Sequence, residues 1–293
     1  MTQSSKWVYE AYELKETFAQ TIKENKVVIV SGSNSLFGFN SIALESYWKR
    51  PVVNDAVNVD LGLAYILHKS KKILARGDIA ILPIEYALYR EDGKPREAYS
   101  DYVLSRDSDY FRELALFEQL TIISRISINR LFNGMKFFFN KKLWLVTGLY
   151  GAQNMNSHGD QINTEPSKMT KEQVLIISRL SETIIDNSEL SDYFMNTMNE
   201  YIAWAKASGI CIVVMPPTYT MFSSYKEEKY THFFVNIKDY YASKSVKFLG
   251  TPLVYMYEKK YYFNSADHLN SVGVKKRTLQ VMNDIGSDIG LHC

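Results

Sequence analysis

A serine that follows a buried apolar run is the first residue of this sequence that could do chemistry. The run 27–30 (VVIV) is continuous and β-branched, which is typical of a strand buried on both faces of a parallel sheet. Ser33 comes shortly after it, among small residues and before a helical pattern at 36–49. A residue at this place lies at the carboxyl edge of the sheet, where ligands bind in open α/β folds. The N–H groups at the start of the following helix favour a developing oxyanion. Ser33 is therefore a candidate nucleophile, although Ser31, Ser33 and Ser35 would also serve as turn and helix-cap residues.

A histidine near the other end of the chain could act as the base for this serine. His268 lies in the polar loop 264–270, after a strand pattern at 246–249 and before a helical pattern at 271–289. A loop at that place in an α/β sheet reaches the same edge as Ser33. A neutral imidazole there could take the hydroxyl proton. The alternative is a surface loop that caps the last helix.

The elements that must position these residues alternate between strand and helix patterns. Short apolar, strand-like runs lie at 27–30, 51–54, 78–83, 210–215 and 246–249. Helical patterns separate them. The alternation predicts an α/β fold, a three-layer α/β/α sandwich with a central parallel sheet of about five strands. We expect one domain over residues 1–293, with a helical and loop insertion at 92–170.

Composition and charge narrow the function classes. Of 293 residues, 46% are hydrophobic and 23% are charged, which is ordinary for a globular protein and argues against disorder. Lys and Arg number 34 against 32 Asp and Glu, so the whole chain offers no electrostatic footprint for nucleic acid. The sequence has no paired-Cys motif, no His-Glu-x-x-His and no complete Gly-rich phosphate loop. We therefore expect no metal, no cofactor and no nucleic-acid partner.

The two cysteines do not form a disulfide framework in the sequence pattern. Cys211 lies in an apolar run and Cys293 is the last residue, so we expect one buried thiol and one free terminal thiol. The N-terminal stretch is polar and lacks the apolar region of a signal peptide. No run approaches the ~20 apolar residues of a membrane-spanning helix, so the sequence as it stands is expected to be soluble.

Four segments, in order, resemble blocks of the SGNH/GDSL hydrolase family, in particular its branch associated with bacterial cell-envelope polysaccharides. Residues 31–34 (SGSN) resemble the nucleophile block, with Gly38 as its trailing glycine. Residues 51–56 (PVVNDA) resemble the second block, and 82–86 (LPIEY) fall where the third block normally supplies an oxyanion-hole Asn. Residues 267–273 (DHLNSVG) resemble the block that carries the catalytic His. Each motif alone is weak, and the ordered set is moderately specific.

The resemblance covers about 27–90 and 208–290 and leaves the insertion unmatched. It implies a serine esterase or an O-acyltransferase that acts on acyl esters of carbohydrate, with acetyl as the expected acyl group. Ser33 would be the nucleophile, and His268 would act as general base and then as general acid. Backbone N–H groups of Ser33 and Ala56 would form the oxyanion hole. The other residues implied in oxyanion or substrate contacts are Asn34, Asn54 and Glu85.

Two positions near the oxyanion hole depart from the family pattern. Ala56 stands where the family has glycine, although its backbone N–H remains. Glu85 stands in the Asn position, and an ionised carboxylate only accepts hydrogen bonds. We expect Glu85 either to be protonated through burial, so that it can donate to an oxyanion, or to turn to a structural partner.

The residue that orients the histidine also departs from the pattern. The family's Asp lies three residues before the His, and here that position is Ser265. Asp267 is adjacent to His268, and Asn264 lies four residues before it. His268 would then be oriented by Asn264, by a backbone carbonyl or by nothing strong. These departures leave a second function open, that of a non-catalytic carbohydrate-binding or polysaccharide-assembly protein that keeps the fold.

Two further expectations concern the insertion and the N-terminus. The amide-rich loop 154–163, with Tyr150 and Trp144 nearby, could bind a sugar, and the alternative is a polar surface loop. Related envelope proteins often carry a membrane helix before a segment like 7–12 (WVYEAY). The resemblance therefore implies an extracytoplasmic, tethered protein if a preceding helix is missing from this sequence, and a cytoplasmic one otherwise. The sequence gives no expectation for the oligomeric state.

Overall fold

The fold contains a parallel sheet that runs through the core of the chain. The computed structural model describes residues 2–140, 145–146, 148–182 and 189–293. Its strands are β1 (Val27–Ile29), β2 (Val52–Asn54), β3 (Ile79–Leu82), β4 (Cys211–Val214), β5 (Tyr219–Thr220), β6 (Lys247–Phe248) and β7 (Met256–Tyr257).

Helices connect the strands and make up most of the remaining structure. They are α1 (Gln3–Thr21), α2 (Ser33–Leu36), α3 (Ser41–Trp48), α4 (Leu63–Lys71), α5 (Glu97–Arg106), α6 (Ser108–Glu113), α7 (Leu116–Ser124), α8 (Ile128–Phe139), α9 (Lys171–Ser178), α10 (Asp192–Ser208), α11 (Glu228–Ser243) and α12 (Ser271–Ile285). None of these helices, in the part of the chain that is described, is long and apolar enough to cross a bilayer.

The strands of the main sheet are all parallel, in the order β2-β1-β3-β4-β6. Val28 of β1 lies between Val53 of β2 and Ala80 of β3, which fixes the register at the centre. β5 and β7 form a separate two-stranded parallel pair. The chain passes from β1 outward to β2 and then crosses back over β1 to β3. The direction of winding therefore changes between β1 and β3, and the carboxyl ends of these two strands flank the crevice where such sheets bind ligands.

Alternate strand residues point to opposite faces of the sheet and enter two separate cores. Val28 and Val53 belong to the larger core, which includes buried side chains of α1, α4, α10 and α11. Val27 and Ile29 belong to the other core, together with side chains of α3 and α12 such as Trp48. Helices therefore cover both faces of a five-stranded parallel sheet. This confirms the predicted α/β class and is consistent with a three-layer arrangement.

The single helix predicted over 36–49 is wrong, because the chain forms α2 and α3 with a break between them. Gly38 lies at the break, and a Cβ on it would come within 2.1 Å of Arg277 Nη1 and 2.5 Å of the Asn34 carbonyl oxygen. Asn40 then starts α3 as its N-cap, and its side chain accepts a hydrogen bond from the Ala43 N–H. Arg277 of α12 and the Asn34 carbonyl therefore leave no room for a side chain at Gly38, where the chain turns between α2 and α3.

The expectation of two free cysteines is also wrong. Cys211 and Cys293 form a disulfide bond, with their Cα atoms 5.5 Å apart. Cys211 opens β4, and the short helical turn Ile289–His292 after α12 brings the last residue back to it. The pairing spans 82 residues of sequence. The pairing depends on where the end of α12 places the last residues of the chain. The spacing of the two cysteines in the sequence does not reveal that position.

Candidate active site

Ser33 lies at the crevice between β1 and β3, where the fold directs a ligand. It begins α2 directly after the turn that ends β1, and 8% of its surface is exposed. Neither its hydroxyl nor its backbone N–H makes a hydrogen bond with another described residue. Ser33 is thus placed as the sequence predicts, with both polar groups available to a ligand.

The structure brings His268 against the same turn. The imidazole stacks on the ring of Phe37, with ring centroids 4.2 Å apart and planes 5° from parallel. Phe37 is the C-cap of α2, the short helix that Ser33 begins. The Phe263 N–H donates to the His268 carbonyl at 2.8 Å, which holds the loop in a tight hairpin ahead of α12. In this structure His268 and Ser33 do not share a hydrogen bond, and Phe37 is the residue that joins the imidazole to the helix that Ser33 begins.

Asn264 fixes which nitrogen of the imidazole can act as a base. His268 Nδ1 lies 2.8 Å from Asn264 Oδ1, and Asn264 Nδ2 donates to Tyr150 Oη at 3.0 Å. With the amide in this orientation its oxygen faces the ring, so Nδ1 carries the proton and Nε2 carries the lone pair. Burial lowers the pKa of His268 below its usual value, which favours the neutral imidazole. Of the orienting groups expected from the sequence, the structure selects Asn264.

Asp267 does not occupy the orienting position of a catalytic triad. Its Oδ1 accepts a hydrogen bond from Ser265 Oγ at 2.5 Å and lies 4.0 Å from Nε2 of His268. The carboxylate is therefore on the Nε2 side of the ring, opposite to Asn264. At this distance it favours the protonated imidazole and opposes the effect of burial on the His268 pKa. Asp267 can stabilise an imidazolium but cannot set its tautomer.

Glu85 follows β3, and its carboxyl group contacts the start of α2. Its Oε2 accepts hydrogen bonds from Ser31 Oγ at 2.9 Å and from the Gly32 N–H at 3.1 Å. Its Oε1 accepts from the Asn34 N–H at 3.2 Å. Burial raises the pKa of Glu85 to about 7, although these donors oppose the rise. The carboxyl group thus turns to structural partners, the second of the two expected arrangements, and it occupies two N–H groups that could otherwise face an oxyanion.

The structure contradicts the role expected for the Ala56 N–H. That group donates to Asn54 Oδ1 at 3.2 Å, so it does not face the crevice as an oxyanion donor. The Asn54 amide in turn donates to the Ser35 carbonyl and to Asp160 Oδ1, both at 2.9 Å. Asn54 is fully buried, and its side chain has no group left for a substrate. Both residues join the end of β2 to α2 and to the 154–163 loop.

The Asn34 side chain makes its hydrogen bonds within the protein. Its Nδ2 donates to the carbonyl oxygens of Thr218 and Asp267, at 2.5 and 3.3 Å. Its Oδ1 accepts from Arg277 Nη1 at 3.0 Å. The side chain therefore ties the turn after β1 to the segment after β4 and to the histidine loop. Asn34 follows Ser33 in the chain, and Asp267 precedes His268. The hydrogen bond from Asn34 Nδ2 to the Asp267 carbonyl therefore links the two segments that carry Ser33 and His268.

Arg277 is a site residue that sequence reasoning missed. It is fully buried in α12, and its guanidinium lies 4.2 Å from the centroid of the Phe39 ring. Nη1 also donates to the Asn34 carbonyl at 3.2 Å, whereas Nε and Nη2 have no hydrogen-bond partner among the described residues. Burial lowers the pKa of Arg277 to about 10. The sequence held a signal, because Arg277 falls between Gly273 and Val281 on the i, i+4 face of α12 that packs inward.

The loop 154–163 uses its polar groups on the protein itself. Asp160 is buried and accepts hydrogen bonds from the Ser41 N–H at 2.7 Å and from Asn156 Nδ2 at 3.0 Å. Lys15 of α1, also buried, donates to the Gly159 carbonyl at 2.6 Å, and burial lowers its pKa to about 8. These contacts use polar groups of the loop within the protein, and they support the alternative to a sugar site. The loop is attached by them to the edge of the sheet.

The aromatic residues expected beside that loop have different outcomes. Tyr150 packs with Trp7 at a centroid distance of 5.2 Å and with Phe37 at 5.8 Å, so its ring belongs to the wall around His268. Trp144 lies outside the described residues. In the described ranges, no group of three or more His, Cys, Asp or Glu residues could hold a metal ion.

The chain matches no protein-family model, no curated protein and no solved structure with which it was compared. The fold and the candidate site define a class of α/β proteins with a parallel sheet. A serine begins a helix where the winding of the sheet changes direction, and a buried histidine stacks on the C-cap residue of that helix.

Proposed function

We propose that this protein is a serine-dependent acyl-ester hydrolase or O-acyltransferase of the SGNH type. The observation that carries the proposal is the imidazole of His268, which is buried, neutral and held by Asn264 with Nε2 as its basic atom. That ring stacks on the short helix that Ser33 begins. A neutral base of fixed tautomer beside a serine without a hydrogen-bond partner is the arrangement that nucleophilic acyl transfer needs.

In the proposed reaction, Ser33 Oγ attacks the acyl carbon and its proton passes to His268 Nε2. This step requires the two atoms to approach to about 2.6–3.2 Å. The carbonyl electron pair moves to oxygen, and collapse of the intermediate breaks the ester bond. The leaving alkoxide takes the proton from His268. Water, or the hydroxyl of an acceptor, then attacks the acyl-serine while His268 takes its proton. The bond between the acyl carbon and Ser33 Oγ breaks, and His268 returns the proton to Ser33 Oγ.

The Ser33 N–H is the donor that supports an oxyanion in this proposal, because Glu85 holds the N–H groups of Gly32 and Asn34. Loss of one oxyanion-hole donor lowers kcat by about 10²–10³-fold in other serine enzymes. We therefore expect a slow enzyme. Movement of Glu85 away from the turn would increase the rate, since it would free two further N–H groups.

The substrate class and the compartment are parts of the same proposal. The acyl ester of a carbohydrate, with acetyl as the acyl group, rests on the resemblance of residues 31–34 and 267–273 to the envelope-polysaccharide branch of the family. An extracytoplasmic location is supported by the Cys211–Cys293 disulfide, because disulfides persist in oxidising compartments.

Labelling with a fluorophosphonate tests the proposal, because this reagent phosphonylates an activated serine. We expect the parent protein to be labelled at Ser33, and Ser33→Ala to lose the label. The matched control is Ser46→Ala, since Ser46 is an exposed serine of α3 whose hydroxyl donates to the Ile42 carbonyl. Labelling of another serine, with Ser33 unmodified, would overturn the assignment.

A non-catalytic carbohydrate-binding or assembly protein is the second candidate. The specific observation in its favour is that Asn54 accepts from the Ala56 N–H, one of the two expected in the oxyanion hole, while Glu85 accepts from the N–H groups on either side of Ser33. This candidate predicts no labelling and no ester hydrolysis, together with binding of an acetylated polysaccharide that Ser33→Ala leaves unchanged.

A further inference from the structure

Helix α8 presents a broad apolar face to solvent. Six of its large apolar side chains are between 49% and 82% exposed. They fall at positions i, i+3, i+4, i+7, i+10 and i+11, which places them on one side of a helix. They are Ile128, Leu131, Phe132, Met135, Phe138 and Phe139.

The opposite side of α8 attaches the helix to the protein body. Phe137 is 2% exposed and points inward, and Arg130 Nη2 donates to Asp101 of α5 at 2.9 Å. Ser127 caps the helix and also donates to Glu97 of α5. A surface helix of a globular protein normally directs its apolar face to the core. In α8 the side with Arg130 and Phe137 is attached to the body and the opposite, apolar side is exposed. Packing among the described residues therefore does not explain this face.

Helix α7 extends the same kind of surface. Its apolar side chains Leu116, Phe117, Leu120 and Ile123 are between 51% and 80% exposed, whereas Ile122 is buried against the body. The two helices are joined by a linker of three residues, 125–127. We call these exposed faces together the α7–α8 surface. Large exposed apolar side chains on two successive helices mark an interaction site.

The charged side chains of α8 all have one sign, whereas α7 carries one exposed acid, Glu118. From Gln119 to Gly159 the sequence contains no Asp and no Glu, and it contains five Lys and Arg residues. Among them, Arg125 and Lys136 are exposed and form no ion pair with a described residue. Arg130 is excluded from this count, because its guanidinium is neutralised by α5. Apolar and aromatic side chains beside exposed cations, as on α8, are typical of helices that lie in an anionic membrane interface.

We propose that the α7–α8 surface binds the interface of an anionic lipid bilayer, with the axis of α8 in the membrane plane. The exposed Phe and Leu side chains enter the boundary between headgroups and acyl chains, and Arg125 and Lys136 contact lipid phosphates. This binding is separate from the proposed function, since it uses none of the residues around Ser33.

Vesicle flotation with the full chain tests the proposal. We expect the protein to float with vesicles of phosphatidylcholine and phosphatidylglycerol, and to bind less to phosphatidylcholine alone or at high salt. Phe138→Ser combined with Phe139→Ser should lower vesicle affinity by at least about tenfold, because each ring contributes buried apolar area. Arg125→Gln and Lys136→Gln should each lower affinity for the anionic vesicles by about fivefold.

The matched control is the double variant Val235→Ser and Leu279→Ser, which removes two exposed apolar side chains from α11 and α12. It should float like the parent. Circular dichroism of each variant verifies that the helices are retained. The proposal is overturned if the folded parent binds neither vesicle, or if the control loses binding as strongly as the α8 variant. It is also overturned if sedimentation without lipid shows a dimer that the α8 variant dissolves, since the occupant would then be a second copy.

Discussion

At the scale of single residues, Asn264 determines whether His268 can act as a base. Its amide oxygen faces Nδ1, and its amide nitrogen is held by Tyr150. Asn264→Ala should lower kcat for an acetyl ester by about 100-fold or more, because the wrong imidazole tautomer is costly in serine hydrolases. Tyr150→Phe is the matched control, since it keeps the ring and removes only the hydroxyl, and its effect should be several times smaller. Steady-state kinetics of both variants give the comparison.

The Asn264 variant would also reveal a different orienting group. If Asn264→Ala kept the kcat of the parent, the histidine would have to be held by something else, and the tautomer argument for Nε2 would be lost.

Glu85 makes a prediction for stability as a function of pH. Burial raises its pKa from 4.5 to about 7, so the folded protein keeps a proton that the unfolded chain releases. The stability from this proton is fully present below the unfolded pKa and is lost as the pH rises through about 7. From about pH 5 to about pH 8, the free energy of unfolding of the parent should fall by about 1–3 kcal/mol relative to Glu85→Gln.

Urea unfolding of both proteins at several pH values measures this difference. Glu113→Gln, at an exposed carboxyl of α6, is the control and should follow the parent. Contributions from other buried groups such as Asp55 cancel in the comparison. A difference between the parent and Glu85→Gln that stayed constant over the whole range would show that Glu85 does not gain a proton on folding.

At the scale of elements, the sequence was sufficient for the five strands of the main sheet, but not for the pair β5 and β7 or for the turn after β1. The runs 27–30 and 78–83 are continuous, β-branched and short, so their burial in a parallel sheet could be read directly. The break at Gly38 could not, because it depends on Arg277, a residue 239 positions further along the chain. Local patterns predict local structure, and a helix broken by a distant side chain leaves no local pattern.

The same distinction applies to the candidate site. Ser33 and His268 could be placed at one edge because parallel strands bring their carboxyl ends together. The partners of Glu85, Asn34 and Ala56 could not, since side-chain direction and competing donors decide them. The residue types at the crevice were therefore predictable, and their hydrogen bonds were not.

Gly38 supplies a test of how α12 shapes the turn. A Cβ at this position would overlap Arg277 Nη1 and the Asn34 carbonyl, so Gly38→Ala should destabilise the fold by about 1–3 kcal/mol. It should also lower esterase activity, because Asn34 and Ser33 share the displaced turn. Gly290→Ala is the control, since a Cβ there would approach only the exposed Asp288 side chain. Equal thermal stability of the two variants would show that the close approach at Gly38 is not present in solution.

At the scale of the whole molecule, the disulfide joins the sheet to the end of the chain. Cys211 starts β4 and Cys293 follows α12, the helix that carries Arg277. Cys293→Ser should lower the free energy of unfolding by about 2–4 kcal/mol. Adding a reductant should lower the Tm of the parent similarly and leave the variant unchanged. Two thiols that react with a thiol reagent in the native parent under oxidising conditions would contradict the disulfide.

The central claim is that Ser33 and His268 act as one catalytic unit, and a double-mutant cycle tests it most directly. Hydrolysis of a small acetyl ester is measured for the parent, Ser33→Ala, His268→Ala and the variant with both changes. Residues that act together have strongly non-additive effects. We predict that each single variant loses nearly all of the activity above background and that the double variant is no slower than either. A Ser33→Ala protein as active as the parent, or a double variant slower by the product of the two single effects, would contradict the account.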